Sequence, residues 1–371
     1  MRRPVEHAML AVAVPLAAAG LIVILTQSAA SRRSADFTIN YSAGVLVRQG
    51  HFAAPYDQVE LGAMMRRVAA DGAIDPRLPF SLPLAAALPY AALSVLPLDL
   101  AFRLWQVISA ALVLVAVLLL QRAAPTLPSP RGGGKLAQAR MLGPAMVALA
   151  AAVPTWATLT EGQPTAELFL GGAMATLALR TDSAGWGAGA GILLAVKPQY
   201  LPAYLAVLFA ARRWRSLVSA GVGAALLLLS PLAAGVGGLS AMLHNALSAN
   251  QAVPVRLNEA WIGVLGAVLP LAAATAVAIA LYLGMLVALW LMAWRRPASR
   301  IGFAALAGAL TVLASPHALP HDLLILAVPA WLAIVLYREG RLPNPLPGLL
   351  GWSWRCSSTF MASRCRWDRS S

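Results

Sequence analysis

Long apolar runs, separated by short cationic runs, occupy this chain from Met9 to about residue 337. A helix of about 20 apolar residues crosses the hydrocarbon core of a bilayer. Charged residues make up only 11% of the chain, against about 25% in soluble domains, and the mean hydropathy is +0.72. The runs are far longer than the roughly ten-residue alternating strands of a membrane barrel. The sequence therefore predicts an all-α polytopic membrane protein with about eight to eleven transmembrane helices.

The positive charge of the chain indicates topology rather than a nucleic-acid partner. The formal net charge is +14, but the cations lie mostly between apolar segments and form no basic groove interleaved with aromatic residues. Short cationic loops favour the cytoplasmic side. We therefore place these runs inside the cell and expect no nucleic acid as a partner. The runs are 122–140, Arg180, 212–215, 295–300 and 338–341.

This placement makes residues 28–78 a long extracytoplasmic loop that follows an uncleaved first helix. Amphipathic parts of the loop, at 45–47 and 61–70, are predicted to lie along the membrane interface. The next apolar segment, 79–97, contains four prolines, so we predict a broken helix that does not cross fully.

Further along, residues 184–211 are predicted to form a hairpin of two short helices with Lys197-Pro198 at its buried tip. Residues 238–260 are predicted to be a polar loop. The topology then gathers the Asp36 loop, the short break around Gln163, the 238–260 loop and the 315–322 turn on the outer side.

Lys197 is a lone cation within apolar sequence, and burying it is costly unless it is paired. Two interpretations stay open: a lysine that reaches to the interface, or a counter-charge for an anionic group such as a lipid phosphate.

The turn SPHALPHD contains His317, His321 and Asp322. A histidine there can act as a base, hold a carboxylate in position, bind metal or be an ordinary loop residue. Pro316 and Pro320 argue against the helix that an i, i+4 metal pair requires.

Weaker signals come from other polar and small residues. Gln163 either binds a substrate hydroxyl or closes its turn, and Arg256 belongs to a group of hydrogen-bonding residues in 238–260 that suit sugars or phosphates. The glycines at 187–191 follow no strand, so we interpret them as a helix-packing surface rather than a nucleotide loop.

The domain prediction is a single transmembrane unit over 1–341 and a tail over 342–371 that is rich in Trp, Arg and Ser. The tail is either a cytoplasmic extension or a frameshifted end that has lost a helix. It contains both cysteines, Cys356 and Cys365, whose spacing matches no metal site or disulfide framework.

These features occur in a recognisable order: D-F-x-x-x-Y-S-A-G, P-Y-D, P-F-x-x-P, G-Q, A-x-K-P, R-R-W-R and S-P-H-x-x-x-H-D. The ordered set, over about residues 9–337, resembles glycosyltransferase family 87. These are bacterial membrane mannosyltransferases of the GT-C superfamily, similar to polyprenol-phosphate-mannose-dependent α-1,2-mannosyltransferases of actinobacterial glycolipid synthesis.

The resemblance implies a GT-C-like helical bundle in the bacterial inner membrane and an inverting transfer at the extracytoplasmic face. The donor would be a polyprenyl-phosphate sugar, the acceptor a glycolipid or glycan, and neither metal nor other cofactor would be needed. Asp36 would act as general base, with His317 assisting it, or failing that His321. Lys197 would offset the donor phosphate. Substrate binding is assigned to Lys197, Gln163, His321, Asn40, Tyr41 and Arg256.

Two other classes of function remain as alternatives. A secondary transporter would use Lys197 and Asp36 as coupling charges, but it should show internal repeats with matching broken helices, and the flanks of residues 79–97 and Lys197 do not match. A non-catalytic protein of envelope assembly is kept open by the unusual tail.

Overall fold

The computed structural model describes residues 2–69, 74–123, 134–252, 258, 260–295, 300–313, 315 and 318–338. Over these residues the chain forms seventeen α-helices and no β-strand, which confirms the all-α prediction. The predictions for Arg256, His317 and the 342–371 tail lie outside the described residues.

The first half of the chain alternates long helices with groups of short ones. Two 3-10 helices, Ala54–Tyr56 and Leu84–Ala87, lie among them. The α-helices are α1 Arg2–Thr26, α2 Ala29–Arg33, α3 Phe37–Arg48, α4 Gln58–Ala69, α5 Leu88–Leu93, α6 Leu98–Ala123, α7 Gly134–Ala151, α8 Val153–Glu161 and α9 Thr165–Thr181.

The second half of the chain also alternates longer helices with short ones. Its 3-10 helices in the described residues are Pro198–Tyr200, Ser230–Ala234 and Pro320–Leu326. The α-helices are α10 Ala184–Ala195, α11 Leu201–Ala210, α12 Trp214–Leu228, α13 Gly237–Ala252, α14 Trp261–Leu265, α15 Leu271–Arg295, α16 Arg300–Leu313 and α17 Ala327–Arg338. Residues 238–252 of the predicted polar loop are thus helical, and the loop prediction is wrong there because Ala and Leu, which favour helix, separate the polar residues.

Three helical segments in the described part are long and apolar enough to cross a membrane: Leu98–Ala123, Trp214–Ala234 and Leu271–Arg295. A fourth candidate is the pair Gly143–Ala151 and Val153–Glu161, which is bent by 65°, just before Pro154. Leu283 and Val287 on α15 are exposed, as expected for a helix surface that contacts lipid. The protein is therefore a polytopic membrane protein, while the count of eight to eleven crossings stays a prediction.

The four-proline segment, 79–97, is attached near both of its ends to the first loop. Tyr56 donates a hydrogen bond of 2.9 Å to the Leu82 carbonyl, and Tyr41 donates one of 2.7 Å to the Leu96 carbonyl. Both tyrosines belong to the first loop, so the two ends of the segment are attached to that loop. The segment is divided into the 3-10 helix Leu84–Ala87 and the short helix α5, which confirms the predicted break. That it does not cross the membrane fully stays a prediction.

Helix α3 is buried in the protein rather than lying on the membrane surface. Val45, Leu46 and Val47 are all buried. At Gly44 an added Cβ would lie 2.5 Å from the Tyr90 carbonyl carbon, so α3 packs directly against α5. The interfacial prediction is wrong for α3, whereas α4 is amphipathic, with Met65 buried and Arg66 exposed.

The predicted hairpin over residues 184–211 is present. The Ser216 amide donates to Asp182 at 3.1 Å, and Arg213 donates to the Arg180 carbonyl at 3.3 Å. The residues that follow the hairpin therefore lie beside those that precede it. Lys197 lies between the two arms, α10 and α11. The apex of the hairpin thus carries the one charged residue of the segment.

The cationic ends of several helices meet at one end of the molecule. Arg180, at the end of α9, donates to the carbonyl of Ala123 at the end of α6. The guanidinium of Arg212 lies 4.9 Å from the ring centroid of Trp294, near the end of α15. This clustering agrees with the assignment of the cationic runs to one side of the membrane.

Candidate active site

Asp36 lies at the start of α3, and its backbone is fixed by the residue that follows it. The Phe37 ring is fully buried and packs edge-on against Phe102, with centroids 5.1 Å apart, and against Tyr90 at 5.6 Å. Asp36 occupies the N-cap position, yet its side chain makes no capping hydrogen bond in the described structure. Its carboxylate is therefore left for other partners.

Gln163 provides one of those partners. Gly162 ends α8 in the left-handed region, with φ of 64°, a conformation that glycine adopts without steric cost. A Cβ added at Gly162 would lie 2.6 Å from the Phe37 Cβ, so the turn lies directly on the residue after Asp36. From this turn Gln163 Nε2 donates a hydrogen bond to Asp36 Oδ2.

The electrostatic environment of Asp36 favours a strong base. Burial raises the pKa of the Asp36 carboxyl, the Gln163 hydrogen bond and the positive charge of Lys197 lower it, and the negative charge of Asp322 raises it; the net direction is upward. A carboxylate with a raised pKa accepts a proton more readily than an ordinary one. Lys197 and Asp322 are therefore close enough to act on Asp36.

Lys197 is paired rather than alone. Its Nζ lies 2.5 Å from Asp322 Oδ1, and the two side chains are 12% and 0% exposed. Asp322 also accepts from Thr165 Oγ1 at 3.4 Å and from the Leu319 amide at 3.2 Å. The pairing explains how the lysine is tolerated within apolar sequence.

The turn that carries Asp322 is attached to its neighbours on both sides. The Asn258 side-chain oxygen accepts from the Ala318 amide at 3.2 Å, and Thr158 Oγ1 donates to the His321 carbonyl at 3.3 Å. Asn245 on α13 donates to the Tyr56 carbonyl at 3.3 Å. The polar features predicted for the outer side thus lie together at one end of the molecule.

The other candidate residues differ in how close they come to this cluster. His321 is buried, with Nε2 3.6 Å from Asp322 Oδ2. Asn40 is buried one helical turn after Asp36, hence on the same face of α3. Tyr41 uses its hydroxyl to hold Leu96, which gives it a structural contact. His317 and Arg256 lie outside the described residues.

Sequence reasoning did not assign roles to Asp322, Phe37 or Thr165. The sequence did contain a signal for the role of Asp322. This acid follows His321 in the polar turn, and Lys197, a lone cation within apolar sequence, needs an acidic partner. No sequence signal indicated the anchoring role of Phe37, since its partners Tyr90 and Phe102 come from distant helices.

The fold and this site define a helical, polytopic membrane protein with a carboxylate, an amide and a lysine–carboxylate pair gathered at one end. The sequence model of glycosyltransferase family 87 matches residues 80–316, which is more than half of the chain. The chain belongs to glycosyltransferase family 87 and is a membrane glycosyltransferase by family.

The match includes Gln163 and Lys197, whereas Asp36 and Asp322 lie outside it. No curated protein and no solved structure matches the chain. Family membership favours a glycosyltransferase over the secondary transporter considered from the sequence.

Proposed function

We propose that this protein is an inverting hexosyltransferase that moves a mannose-like sugar from a polyprenyl-phosphate donor to a glycolipid or glycan acceptor. The reaction takes place at the extracytoplasmic face of the bacterial inner membrane. Asp36 is the general base, and no metal or other cofactor takes part. The proposal deepens the family assignment, which by itself names neither donor nor acceptor.

The chemistry requires one base and a stabilised leaving group. The acceptor hydroxyl oxygen attacks the anomeric carbon from the face opposite the phosphate, and a new C–O bond forms. The bond from that carbon to the phosphate oxygen breaks, and its electron pair leaves with the polyprenyl phosphate. The hydroxyl proton passes to the base, and such general-base assistance contributes about 10²–10⁴-fold to the rate.

The geometry of Asp36 supports its role as this base, and this is the observation that carries the proposal. Gln163 holds Oδ2, while Oδ1 makes no hydrogen bond within the described part of the chain. One oxygen is thus fixed and the other is left to accept a proton. The carboxyl is also half-buried, in surroundings that raise its pKa.

Lys197 supports the second requirement, because a cation next to the departing phosphate stabilises the negative charge that develops there. A lysine of this kind takes the place that a metal ion has in many phosphate-releasing sites, so we expect chelators to leave the transfer rate unchanged. His317 is proposed to assist Asp36, with His321 as the second choice. Gln163, Asn40, Tyr41 and Arg256 are proposed to contact the substrates.

Two other carboxylates of the first loop have structural roles. Asp57 Oδ1 accepts from the Val59 and Glu60 amides at 2.8 and 3.0 Å and caps α4. Asp75 pairs with Arg77 at 2.9 Å in an exposed turn. These structural roles support a single carboxylate base rather than the pair of closely spaced carboxyls of a retaining hydrolase.

The test is a transfer assay with the purified protein in liposomes, using a panel of polyprenyl-phosphate sugars that includes polyprenyl-phosphate mannose. We expect transfer to a glycolipid acceptor, and a loss of at least about 100-fold in the Asp36→Asn variant. Asp75→Asn is the matched control and should keep wild-type activity. Full activity in Asp36→Asn would refute the base assignment. Absence of transfer from every lipid-phosphate donor would favour a non-catalytic role in envelope assembly.

A further inference from the structure

The ion pair between Lys197 and Asp322 joins two elements that are distant in sequence. Lys197 lies at the apex of the 184–211 hairpin, and Asp322 lies in the 3-10 helix Pro320–Leu326. Asp322 is fully buried, while a small part of the lysine side chain remains exposed. The acid is thus fully enclosed, whereas the side chain of the lysine is not.

Asp322 is held in place by contacts that do not involve the lysine. The Leu319 amide donates to Oδ2 at 3.2 Å, and Thr165 Oγ1 donates to Oδ1 at 3.4 Å. His321 Nε2 lies 3.6 Å from Oδ2. The carboxylate therefore has a fixed position from which to hold a flexible partner.

Lys197 needs such a partner, because a lysine ammonium is a point charge on a flexible four-carbon stem. The group has three N–H donors. Within the described part of the chain, its hydrogen-bond and ion-pair contact is with Asp322 Oδ1. One donor is thereby used for anchoring, and two remain for another anion.

We infer that Asp322 is a positioning residue for Lys197, which it holds beside Asp36 so that the free N–H groups of the ammonium bind the phosphate of the lipid-linked donor. This inference rests on the proposed function and adds a residue to it. Phosphate binding leaves the Lys197–Asp322 pair in place, because the ammonium group uses different N–H groups for the two anions. The ammonium bridges two anions instead of exchanging one for the other.

A purely structural role of the Lys197–Asp322 pair would have different experimental consequences from a positioning role. An ion pair that only fastens the hairpin to the 318–326 turn would change stability, and through it the amount of active protein. A positioning role changes the affinity for the donor while the acceptor affinity stays the same. The two Michaelis constants therefore separate the two roles.

The first measurement is the KM for the lipid-phosphate donor in the Asp322→Asn variant, which keeps the size of the side chain. We expect the donor KM to rise about tenfold or more, because loss of one partner in a buried charge pair weakens binding strongly. The acceptor KM should stay within about twofold of wild type. An unchanged or lowered donor KM, or equal changes in both constants, would overturn the inference.

A double-mutant cycle with Lys197→Met tests whether Asp322 acts through the lysine. If it does, the double variant should have the same donor KM as Lys197→Met alone, within about twofold. If the increases in donor KM caused by the two single substitutions multiply in the double variant, Asp322 acts independently of Lys197 and the inference is overturned.

The double variant also keeps the experiment interpretable if a single variant fails to fold. Removing one partner of a buried pair leaves an uncompensated charge, whereas removing both charges does not. We therefore expect the double variant to recover folding, measured by thermal unfolding in detergent. In that case the donor KM of the double variant is compared with that of wild type and should be about tenfold higher or more. A donor KM equal to that of wild type would overturn the inference.

A binding assay separates this inference from the proposed function. Polyprenyl phosphate without a sugar serves as the probe and is titrated against wild type and Asp322→Asn. If wild type transfers no sugar, the proposed function fails, while about tenfold weaker binding by the variant still supports the positioning role. Equal binding by both proteins would refute the positioning role even if transfer is observed.

Discussion

The amide of Gln163 donates a hydrogen bond to the carboxylate of Asp36 across 127 positions of sequence. The contact joins the turn between α8 and α9 to the start of α3, and it leaves the second carboxylate oxygen for a substrate. Gln163 also favours the charged form of Asp36, because a hydrogen bond to a carboxylate stabilises the anion. The amide is thus expected to tune the base as well as to orient it.

Replacing Gln163 by Leu should make the enzyme more sensitive to acid. The pKa of Asp36 is already raised by burial, and the Gln163 hydrogen bond opposes that rise. Without the amide the pKa rises further. Since Asp36 must be ionised to accept a proton, activity is lost as the pH falls through its pKa, so the acid limb of the pH–rate profile should move to higher pH.

The size of this effect follows from the energy of hydrogen bonds to charged groups, about 1.5–3 kcal/mol. We expect about a tenfold lower kcat/KM on the acid side of the profile. Gln58→Leu is the control, since Gln58 donates to the Pro76 carbonyl at 2.8 Å in the same loop. A Gln163→Leu enzyme with the wild-type acid limb would contradict the proposed coupling.

Gly162→Ala should lower both stability and activity. Left-handed backbone costs a residue with a Cβ about 1–2 kcal/mol, and here φ is 64° and the new methyl group would meet the Phe37 Cβ. The displaced turn would carry Gln163 away from Asp36. Thermal unfolding in detergent and the transfer rate measure the two effects.

The matched substitution for Gly162→Ala is Gly284→Ala, in the middle of α15, where an added Cβ would meet open space. Alanine is the better helix former at such a position, so stability should stay the same or rise. Equal losses in the two variants would indicate that the Gly162 conformation has no special importance.

Local and topological features of this fold could be predicted from the sequence, whereas pairings between distant segments could not. Prolines predicted the break at 79–97, and the cationic runs predicted the hairpin at 184–211. They also predicted that Asp36 and Gln163 share one side. These predictions depend on residue type and hydropathy, which act over a few helical turns.

The pair between Lys197 and Asp322 depends instead on how α9, α10 and the 318–326 turn pack, over a separation of 125 residues. Sequence indicated that a buried lysine needs a partner but not which acid provides it. The burial of α3 was missed for a similar reason. Its apolar residues are as suitable for lipid as for protein, and only the contact with α5 decides between them.

The glycine pattern at 187–191 was interpreted as a packing surface, and the structure confirms this at Gly187 and Gly191. Cβ atoms added there would overlap backbone atoms of Ser216 and Ala220 on α12. On the facing helix, a Cβ at Gly223 would lie 2.6 Å from the Ala188 carbonyl oxygen, whereas one at Gly221 would meet nothing within 4 Å.

Gly223→Ala should therefore destabilise the protein, and Gly221→Ala, two positions earlier on the same helix, should not. Forcing an extra methyl group into a close helix contact typically costs about 1–3 kcal/mol. The comparison is made by thermal unfolding of both variants in the same detergent. Equal stability of the two would contradict the close approach of α10 and α12.

Cysteine labelling should place the two ends of the molecule on opposite sides of the membrane. Ser34 is exposed two residues before Asp36, and Arg215 is exposed at the cationic end, where α12 begins. With Cys356→Ser and Cys365→Ser as background, an impermeant maleimide applied to intact cells should label Ser34→Cys. It should label Arg215→Cys only after the membrane is opened. Labelling of both positions in intact cells would contradict the separation of the two ends. The reverse pattern would place Asp36 on the cytoplasmic side, where the proposed extracytoplasmic transfer does not occur.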